Sequence, residues 1–557
     1  MTGPGDFDRA AGLDRLAQGP FDVLVVGGGI TGVGVALDAA SRGLRTALVE
    51  RDDFASGTSS KSSKLVHGGL RYLQQGEIRL VYQALRERQI LRHTAPHLVH
   101  VLPFLIPIFT KDGLISRRLA RAMGSAMWMY DVTGGLRIGK LHKRLTTDQA
   151  MAHMPTLRRD RLAGAYLYYD ARADDARLVL TVARTAALDH GATIVNRATL
   201  RGIRKDPDGK VTGAQVEADG RTIEVVTHSI VNATGVWSDD VRALDEGADP
   251  DSIRPAKGVH ITVPWDLVRN DIAAVIPVPK DKRSVFVVAW EDLTYIGTTD
   301  TDYDGDIDEP YCTRDDVEYL LRAINGAIEG AITPADITGT WAGLRPLVKS
   351  AASARTADLS RRHKVTTRDS GVISINGGKL TTYREMAADT VDEVLDHLGD
   401  RAPNGLRRRS RTRKLALRGA AGYEATKTMA VPGLSAEQVE HLSDRYGGEA
   451  PVVFAMIEAT PALAEPLVPG LPYLRAEAVY AARHEMVATL DDVLSRRTRA
   501  RLLAAEASVE AADDVAGLVG PELGWSDDER RAQVDAYRAS VADELEAAGL
   551  HDPVPAS

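Results

Sequence analysis

Residues 22–32 read DVLVVGGGITG, a short apolar run that empties into a glycine-rich turn. The run 22–26 has the character of a buried strand. Gly27, Gly29 and Gly32 then form a GxGxxG pattern, the small-residue stretch 33–43 (VGVALDAASRG) reads as a helix, and a second strand, 45–50 (RTALVE), ends on an acid, Glu50. Together they make a β-α-β unit. Each part has a mechanical reason. Gly27 permits the tight turn out of the strand, and Gly29 lets backbone approach a pyrophosphate. Gly32 and Ala36 share one helix face and let that helix sit close to the sheet. The helix N-terminus offers free N–H groups and partial positive charge to phosphates. Glu50, 18 residues after Gly32, is placed to accept hydrogen bonds from an adenosine ribose. NAD and FAD share the half so recognised. Position within the first 50 residues, with no second fingerprint downstream, favours FAD.

Outward from this unit, 557 residues are too many for one ordinary core, so two or three domains are expected. A hydrophobic fraction of 44% and a charged fraction of 26% are those of a soluble globular protein. Cys312 is the one cysteine, which excludes an internal disulfide and suggests a reducing compartment. The N-terminal MTGPGDFDRA is polar with two acids, unlike a secretory signal. No apolar run approaches the roughly 18 residues needed to cross a bilayer. A net charge of -8 argues against a general nucleic-acid binder.

Between about 190 and 300, β-branched runs (ATIVN, IEVVTHSIVNATG, SVFVVAW, LTYIGTTD) alternate with turn dipeptides such as Asp208-Gly209 and Asp219-Gly220, as in antiparallel sheet. From about 405 the polar, basic APNGLRRRSRTRK reads as a boundary, and helical patterns follow. In SAEQVEHLSDRYGG, Ser435 and Gln438 have capping-box spacing and Gly447 offers a stop; residues 473–506 read as one or two further helices. The expected fold is an α/β, Rossmann-like FAD-binding domain with an antiparallel β-sheet substrate domain and an all-α C-terminal domain. The first two interleave over 20–405: FAD-binding mainly 20–95, 165–245 and 340–400, substrate mainly 95–165 and 245–340. The helical domain takes 406–557.

One stretch departs from the acidic average. Residues 61–73, KSSKLVHGGLRYL, crowd two lysines, a histidine and an arginine, and no Asp or Glu occurs from Gly57 to Gly76. A region so stripped of acid suits an anion. Read alone, Lys61 and Lys64 fit a solvated surface equally well.

Eight blocks in order now carry a resemblance: VVGGGITGVGVALDAASRGL, TSSKSSKLVHGGLRYL, DDARLVL, NATGVW, KGVHITVP, IGTTD, GLRPL and NGGKLTTYRE. They resemble FAD-dependent glycerol-3-phosphate dehydrogenase, the respiratory, quinone-linked enzyme of the D-amino-acid-oxidase-like flavoprotein group. The resemblance spans about 20–400 and continues more loosely beyond. It implies that Thr58, Ser59, Ser63 and Lys64 follow the flavin's pyrophosphate and ribityl chain, that His67, Gly68 and Gly69 pass the isoalloxazine ring, and that Ala233 and Gly235 line the cofactor. Arg71 and Tyr72 match residues that reach the substrate phosphate, work suited to a guanidinium fork. His260 and Arg345 match the reacting centre, either one as proton acceptor. Alone, His260 would read as a core histidine; its pKa range suits proton transfer. Gly378, Lys379 and Leu380 begin a helix whose dipole points at the flavin, with Lys379 and Thr381 also matching substrate contacts.

A zinc protease is excluded, since no second histidine follows HEM at 484–486, and one cysteine excludes CxxC and iron–sulfur chemistry. No metal is expected. The resemblance further implies glycerol 3-phosphate as substrate, a membrane quinone as acceptor and a homodimer. Residues 98–110 (LVHVLPFLIPIFT) are apolar, and 111–144 carry eight Lys or Arg against two Asp around AMWMY. Composition allows a buried segment beside a charged loop. A quinone dissolved in lipid points instead to an interfacial face on an anionic membrane, and so to a cytoplasmic protein held peripherally on the inner face. Two other readings remain: a soluble glycerol-3-phosphate oxidase using O2, and a flavin-binding scaffold without catalysis.

Overall fold

The computed structural model describes residues 7–69, 77–109, 127–131, 138–248, 250–279, 281, 283–349 and 363–550. The opening motif folds as its pattern requires. Val23–Val26 pairs in parallel with Thr46–Val49 on one side and Ile230–Asn232 on the other. Successive side chains of a strand face opposite ways. Val23 and Val25 accordingly join the core under the helices, while Leu24 and Val26 join the opposite core. The helix Ile30–Arg42 begins directly after Gly29 and stops at Gly43, whose φ of 102° suits glycine in the left-handed region. The full sheet runs Lys364–Thr367, Val372–Asn376, Ile230–Asn232, Val23–Val26, Thr46–Val49, Thr193–Val195, parallel apart from its first edge. Helices Ile30–Arg42, Asp175–His190 and Tyr383–Leu398 cover one face. A three-stranded antiparallel sheet (Thr199–Lys205, Val211–Ala218, Arg221–Val226) covers the other.

The second large unit is a ten-stranded sheet. Ile253–Pro264 lies at one side of it, paired with Leu293–Gly297 and Gly339–Val348. His100–Phe109, Leu162–Arg172 and Leu65–Val66 lie toward the other. Chain and sheet therefore exchange more often than the expected ranges allow. Leu162–Arg172, Gly339–Val348 and Leu65–Val66, largely within ranges assigned to FAD binding, pair in this second sheet. The cause is pairing across long sequence separation, which strand composition does not encode.

The apolar stretch 98–110 corrects one expectation. His100–Phe109 is an interior strand whose Phe104, Leu105, Ile106, Ile108 and Phe109 are buried. It is core, not membrane face.

The basic connector keeps Arg407, Arg408, Arg409, Arg411, Arg413 and Lys414 exposed, while its backbone and two hydroxyls pack on the helix Ile30–Arg42. Arg407 N–H donates to Arg42 O at 3.1 Å, the Arg42 guanidinium donates to Arg408 O at 2.9 Å, and Ser410 and Thr412 hydroxyls bind Asp38. Asp38 and Arg42 are themselves fully buried and paired.

Beyond Tyr423 the chain is a helical C-terminal domain. Ser435 and Gln438 form the expected capping box before Ala436–Tyr446, which ends at Gly447. The long stretch after 473 is more broken than one or two helices. Arg475–His484 is followed by a wide-turned π-helix, Asp492–Arg497, and short helices Ala500–Leu503 and Ala505–Glu510. There Glu485, Asp492, Arg497 and Arg499 turn inward and are buried.

Candidate active site

A cavity of about 380 Å³ opens where the first strand meets its helix. Of the residues singled out in the sequence, Gly27, Gly29, Glu50, Thr58, Ser59, Ala233, Gly235, Gly378, Lys379 and Leu380 line it. Gly32 does not. Its work is the close packing expected of it, since a Cβ there would lie 1.9 Å from Gly27 O. At Gly27 both a φ of 109° and a Cβ 2.7 Å from Ala233 O exclude a side chain. The wall facing the helix N-terminus is thus bare backbone, the cradle that a pyrophosphate needs.

Glu50 sits at one end of this wall. Its carboxylate accepts Gly28 N–H at 2.5 Å and Asp52 N–H at 2.8 Å, and no arginine or lysine is bonded to it among the described residues. Enclosure pushes its pKa up to about 7, the two backbone bonds opposing. Hydroxyl donors from a ribose would complete such a group. Trp237, Val241 and Leu244 add an apolar wall. Those three were not singled out as site residues, although Val241 and Leu244 stand one helical step apart. Ser59 Oγ accepts the Ile30 N–H at 3.0 Å and so caps the helix beside the cradle. Bare glycine backbone, a helix N-terminus, an enclosed carboxylate and an apolar wall in one cavity fit FAD.

The reaction end is assembled from the second sheet. Ile253–Pro264 carries His260 and Gly339–Val348 carries Arg345, with Ala256 opposite Arg345 and His260 opposite Trp341. Between these pairs Gly258 faces Gly343, which leaves that stretch of the sheet without side chains. A Cβ on Gly258 would lie 2.6 Å from an Arg345 nitrogen, and one on Gly297 would lie 2.1 Å from His260 Cδ2. These glycines are positioning features that the sequence reading missed. GLRPL and IGTTD contain two of them, but only pairing reveals what they clear.

His260 is buried and stacks on Trp341 at 4.7 Å and 11°. Its Nε2 is 2.8 Å from Ser63 Oγ, and its Nδ1 has no hydrogen-bond partner among the described residues. Burial first, then the nearby Lys64 and Arg345 charges, hold its pKa well below the usual histidine range. Arg345 pairs with Asp300 at 3.1 Å and donates to Thr298 Oγ1 and Thr299 O. Its neighbour Pro346 lines the cavity with Lys379, so the sheet backs the nucleotide chamber.

Several expected cofactor residues serve as framework around this point. Lys64 is buried, pairs with Asp175 at 3.3 Å and lies over the Trp341 ring at 4.6 Å; burial lowers its pKa to about 8. Thr381 Oγ1 accepts the His67 N–H at 3.1 Å and ties Leu380–Thr382 to that strand end. The His67 ring meets Phe286 edge-on. Gly68 N–H points to Tyr130 Oη and Asp170, where a Cβ would clash with Leu85, and Gly69 has a φ of 76°. Arg71 and Tyr72 lie outside the described residues.

The match to known proteins agrees with this geometry. Residues 22–384 match the family described as FAD dependent oxidoreductase, and 410–530 match the C-terminal domain of alpha-glycerophosphate oxidase. The chain is 40% identical to glycerol-3-phosphate dehydrogenase 2 of Mycobacterium tuberculosis over 99% of this chain and 93% of that protein. It is 37% identical to the mitochondrial glycerol-3-phosphate dehydrogenase of Mus musculus over 95% of this chain and 74% of that one. Among solved structures, the glycerol-3-phosphate dehydrogenase of Bacillus halodurans complexed with FAD superimposes with a TM-score of 0.77 at 30% identity, covering 98% of this chain and 99% of that one. On these matches the chain belongs to the family of FAD-dependent glycerol-3-phosphate dehydrogenases.

Proposed function

We propose that the chain oxidises sn-glycerol 3-phosphate to dihydroxyacetone phosphate and passes the electrons to a membrane quinone. Bound FAD supplies the hydride acceptor for the carbinol C–H. The protein must hold a doubly charged phosphoester and remove the hydroxyl proton. His260 takes that proton: Ser63 Oγ, 2.8 Å from Nε2, fixes the ring, and the buried Nδ1 has no hydrogen-bond partner among the described residues. The ring is kept neutral by its buried, cation-flanked setting. A dianionic substrate opposes those same cations and raises the basicity of the ring on arrival. Arg345, fixed by Asp300 and the Thr298–Thr299 backbone turn, stabilises negative charge on the departing oxygen. Lys379, Thr381, Arg71 and Tyr72 complete the substrate pocket, with Arg71 on the phosphate.

The observation that carries this reading is the buried, cation-flanked His260 beside Arg345, on a sheet that backs the nucleotide chamber. Kinship with proteins named glycerol-3-phosphate dehydrogenase supports the substrate. The acceptor rests on the same kinship and on Trp128 and Leu141, 59% and 43% exposed within the basic span, as a lipid-facing surface. No helix among the described residues is long and apolar enough to cross a membrane. Docking would then be peripheral.

A second reading has its own support, because residues 410–530 match an oxidase's C-terminal domain. One anaerobic titration tests the first step: glycerol 3-phosphate should bleach the flavin absorbance, and a flavin that keeps its colour overturns the proposal. Readmitting either a soluble quinone or O2 then separates the acceptors, since an oxidase forms stoichiometric peroxide without quinone.

A further inference from the structure

The helical domain reaches the His260 ring through buried ion pairs to Asp175, two hydrogen bonds to Ser62 and the adjoining residue Ser63. Arg499 lies fully buried at the entry to Ala500–Leu503. Its Nε and Nη2 donate to Asp174 Oδ1 at 3.0 and 2.5 Å, its Nη2 also to Asp175 Oδ1, and its Nη1 to Ser495 O at 3.1 Å. Asp175, equally buried, holds the turn before the first strand of the second sheet. Its Oδ2 accepts both Ser62 N–H, at 3.0 Å, and Ser62 Oγ–H, at 2.6 Å. Its Oδ1 also receives Lys64 Nζ. The next residue, Ser63, is the one bonded to His260 Nε2.

This turn is strained, which is why it needs a clamp. Lys64 has a φ of 55°, a left-handed conformation that costs a lysine on the order of 1 kcal/mol or more. Ser62 O accepts Trp341 Nε1–H and Ser63 O accepts Tyr295 Oη–H from the sheet, and Asp175 holds the turn from the helix Asp175–His190. Without Arg499 the two adjacent buried carboxylates lose their shared guanidinium, Asp174 keeping Arg445 and Asp175 keeping Lys64, and a displaced Asp175 no longer accepts both Ser62 bonds.

We propose that Arg499 is a positioning residue for His260, acting through Asp175 and the Ser62–Ser63 turn. This rests on the reading of His260 as the proton acceptor. It gives the C-terminal domain a part in the chemistry: it sets the ring that receives the proton.

The test is a double-mutant cycle in the FAD-loaded enzyme with glycerol 3-phosphate and a soluble quinone. Arg499→Met should lower kcat by about tenfold or more while KM stays within about threefold and bound flavin is unchanged. Arg499→Lys should recover part of the loss. Ser63→Ala should lower kcat similarly, and the double variant should be no slower than the more impaired single variant, because both act through one hydrogen bond. Multiplied losses in the double variant, or an Arg499→Met enzyme of normal kcat with only a lowered Tm, overturn the proposal. Should Arg499→Met fail to fold, Asp175→Asn takes its place in the cycle and is read in the same way. His260→Ala, measured alongside, separates the layers. If it keeps full kcat, the proton-acceptor reading falls and this inference with it. If it loses kcat while the cycle is multiplicative, only this inference falls.

Discussion

Glu50 and Asp53 stand three residues apart on one loop and live in opposite electrostatic worlds. Glu50 looks into the cavity, bonded to two backbone N–H groups, and its enclosure pushes its pKa up to about 7. Asp53 faces the helical domain. Burial would raise its pKa too, but Arg497 at 2.7 and 2.8 Å and Arg496 at 2.7 Å hold it well below the usual carboxylate range. The same chemical group is thus left waiting for a ligand in one direction and satisfied by protein in the other. Compensation of charge, more than burial, separates a binding wall from a structural joint.

The largest expected effect breaks the joint. Asp53→Ala removes the carboxylate shared by Arg496 and Arg497, leaving Arg496 to Asp491 and Asp492 and the buried Arg497 to Glu485, and should cost about 3 kcal/mol in urea unfolding. A loss under about 1 kcal/mol would mean that water reaches the joint and that it resembles a surface pair. Next comes the wall. Glu50→Gln should weaken FAD binding about tenfold, or about 1.4 kcal/mol, with the unfolding midpoint little changed, as read by flavin fluorescence during dilution. Equal damage to stability would make Glu50 a joint as well.

The smallest effect is the pH dependence, and its sign differs for the two acids. Glu50 has a folded pKa raised from 4.5 to about 7, so the fold favours its protonated form. That contribution is complete below pH 4.5 and lost as pH rises toward 7. The cofactor-free wild type should therefore lose Tm across this window relative to Glu50→Gln. Asp53 works the other way, its contribution present above the ordinary value of 3.8 and lost only as pH falls below it. Parallel Tm profiles for wild type and Glu50→Gln would remove the distinction.

How much was legible follows from distance along the chain. Part of the nucleotide end is local: Gly28 and Glu50 are 22 residues apart, so glycine spacing and a terminal acid announce it, while Ser59 and the distant Ala233, Gly235 and Gly378 were named only by resemblance. The reaction end joins Ser63 to His260 across 197 residues and Arg499 to Asp175 across 324. There only resemblance named His260 and Arg345, and nothing named Gly258, Gly297 or Arg499. One apolar stretch also misled for a physical reason. A core and a lipid face ask for the same side chains, so His100–Phe109 could not declare itself. Nor does a helical pattern name its ion-pair partners: Arg496, Arg497 and Arg499 reach back to Asp53, Asp174 and Asp175 besides the nearer Glu485, Asp491 and Asp492.

By itself, the order of residues determined the β-α-β unit, its nucleotide and the helical character of the tail, because steric and hydrogen-bonding rules act between near neighbours. Only the tertiary structure decided which strand glycines make room for Arg345 and His260, which histidine nitrogen is left without a partner among the described residues and which buried charges are answered, because electrostatic compensation depends on distance in space and the chain reports only distance in sequence.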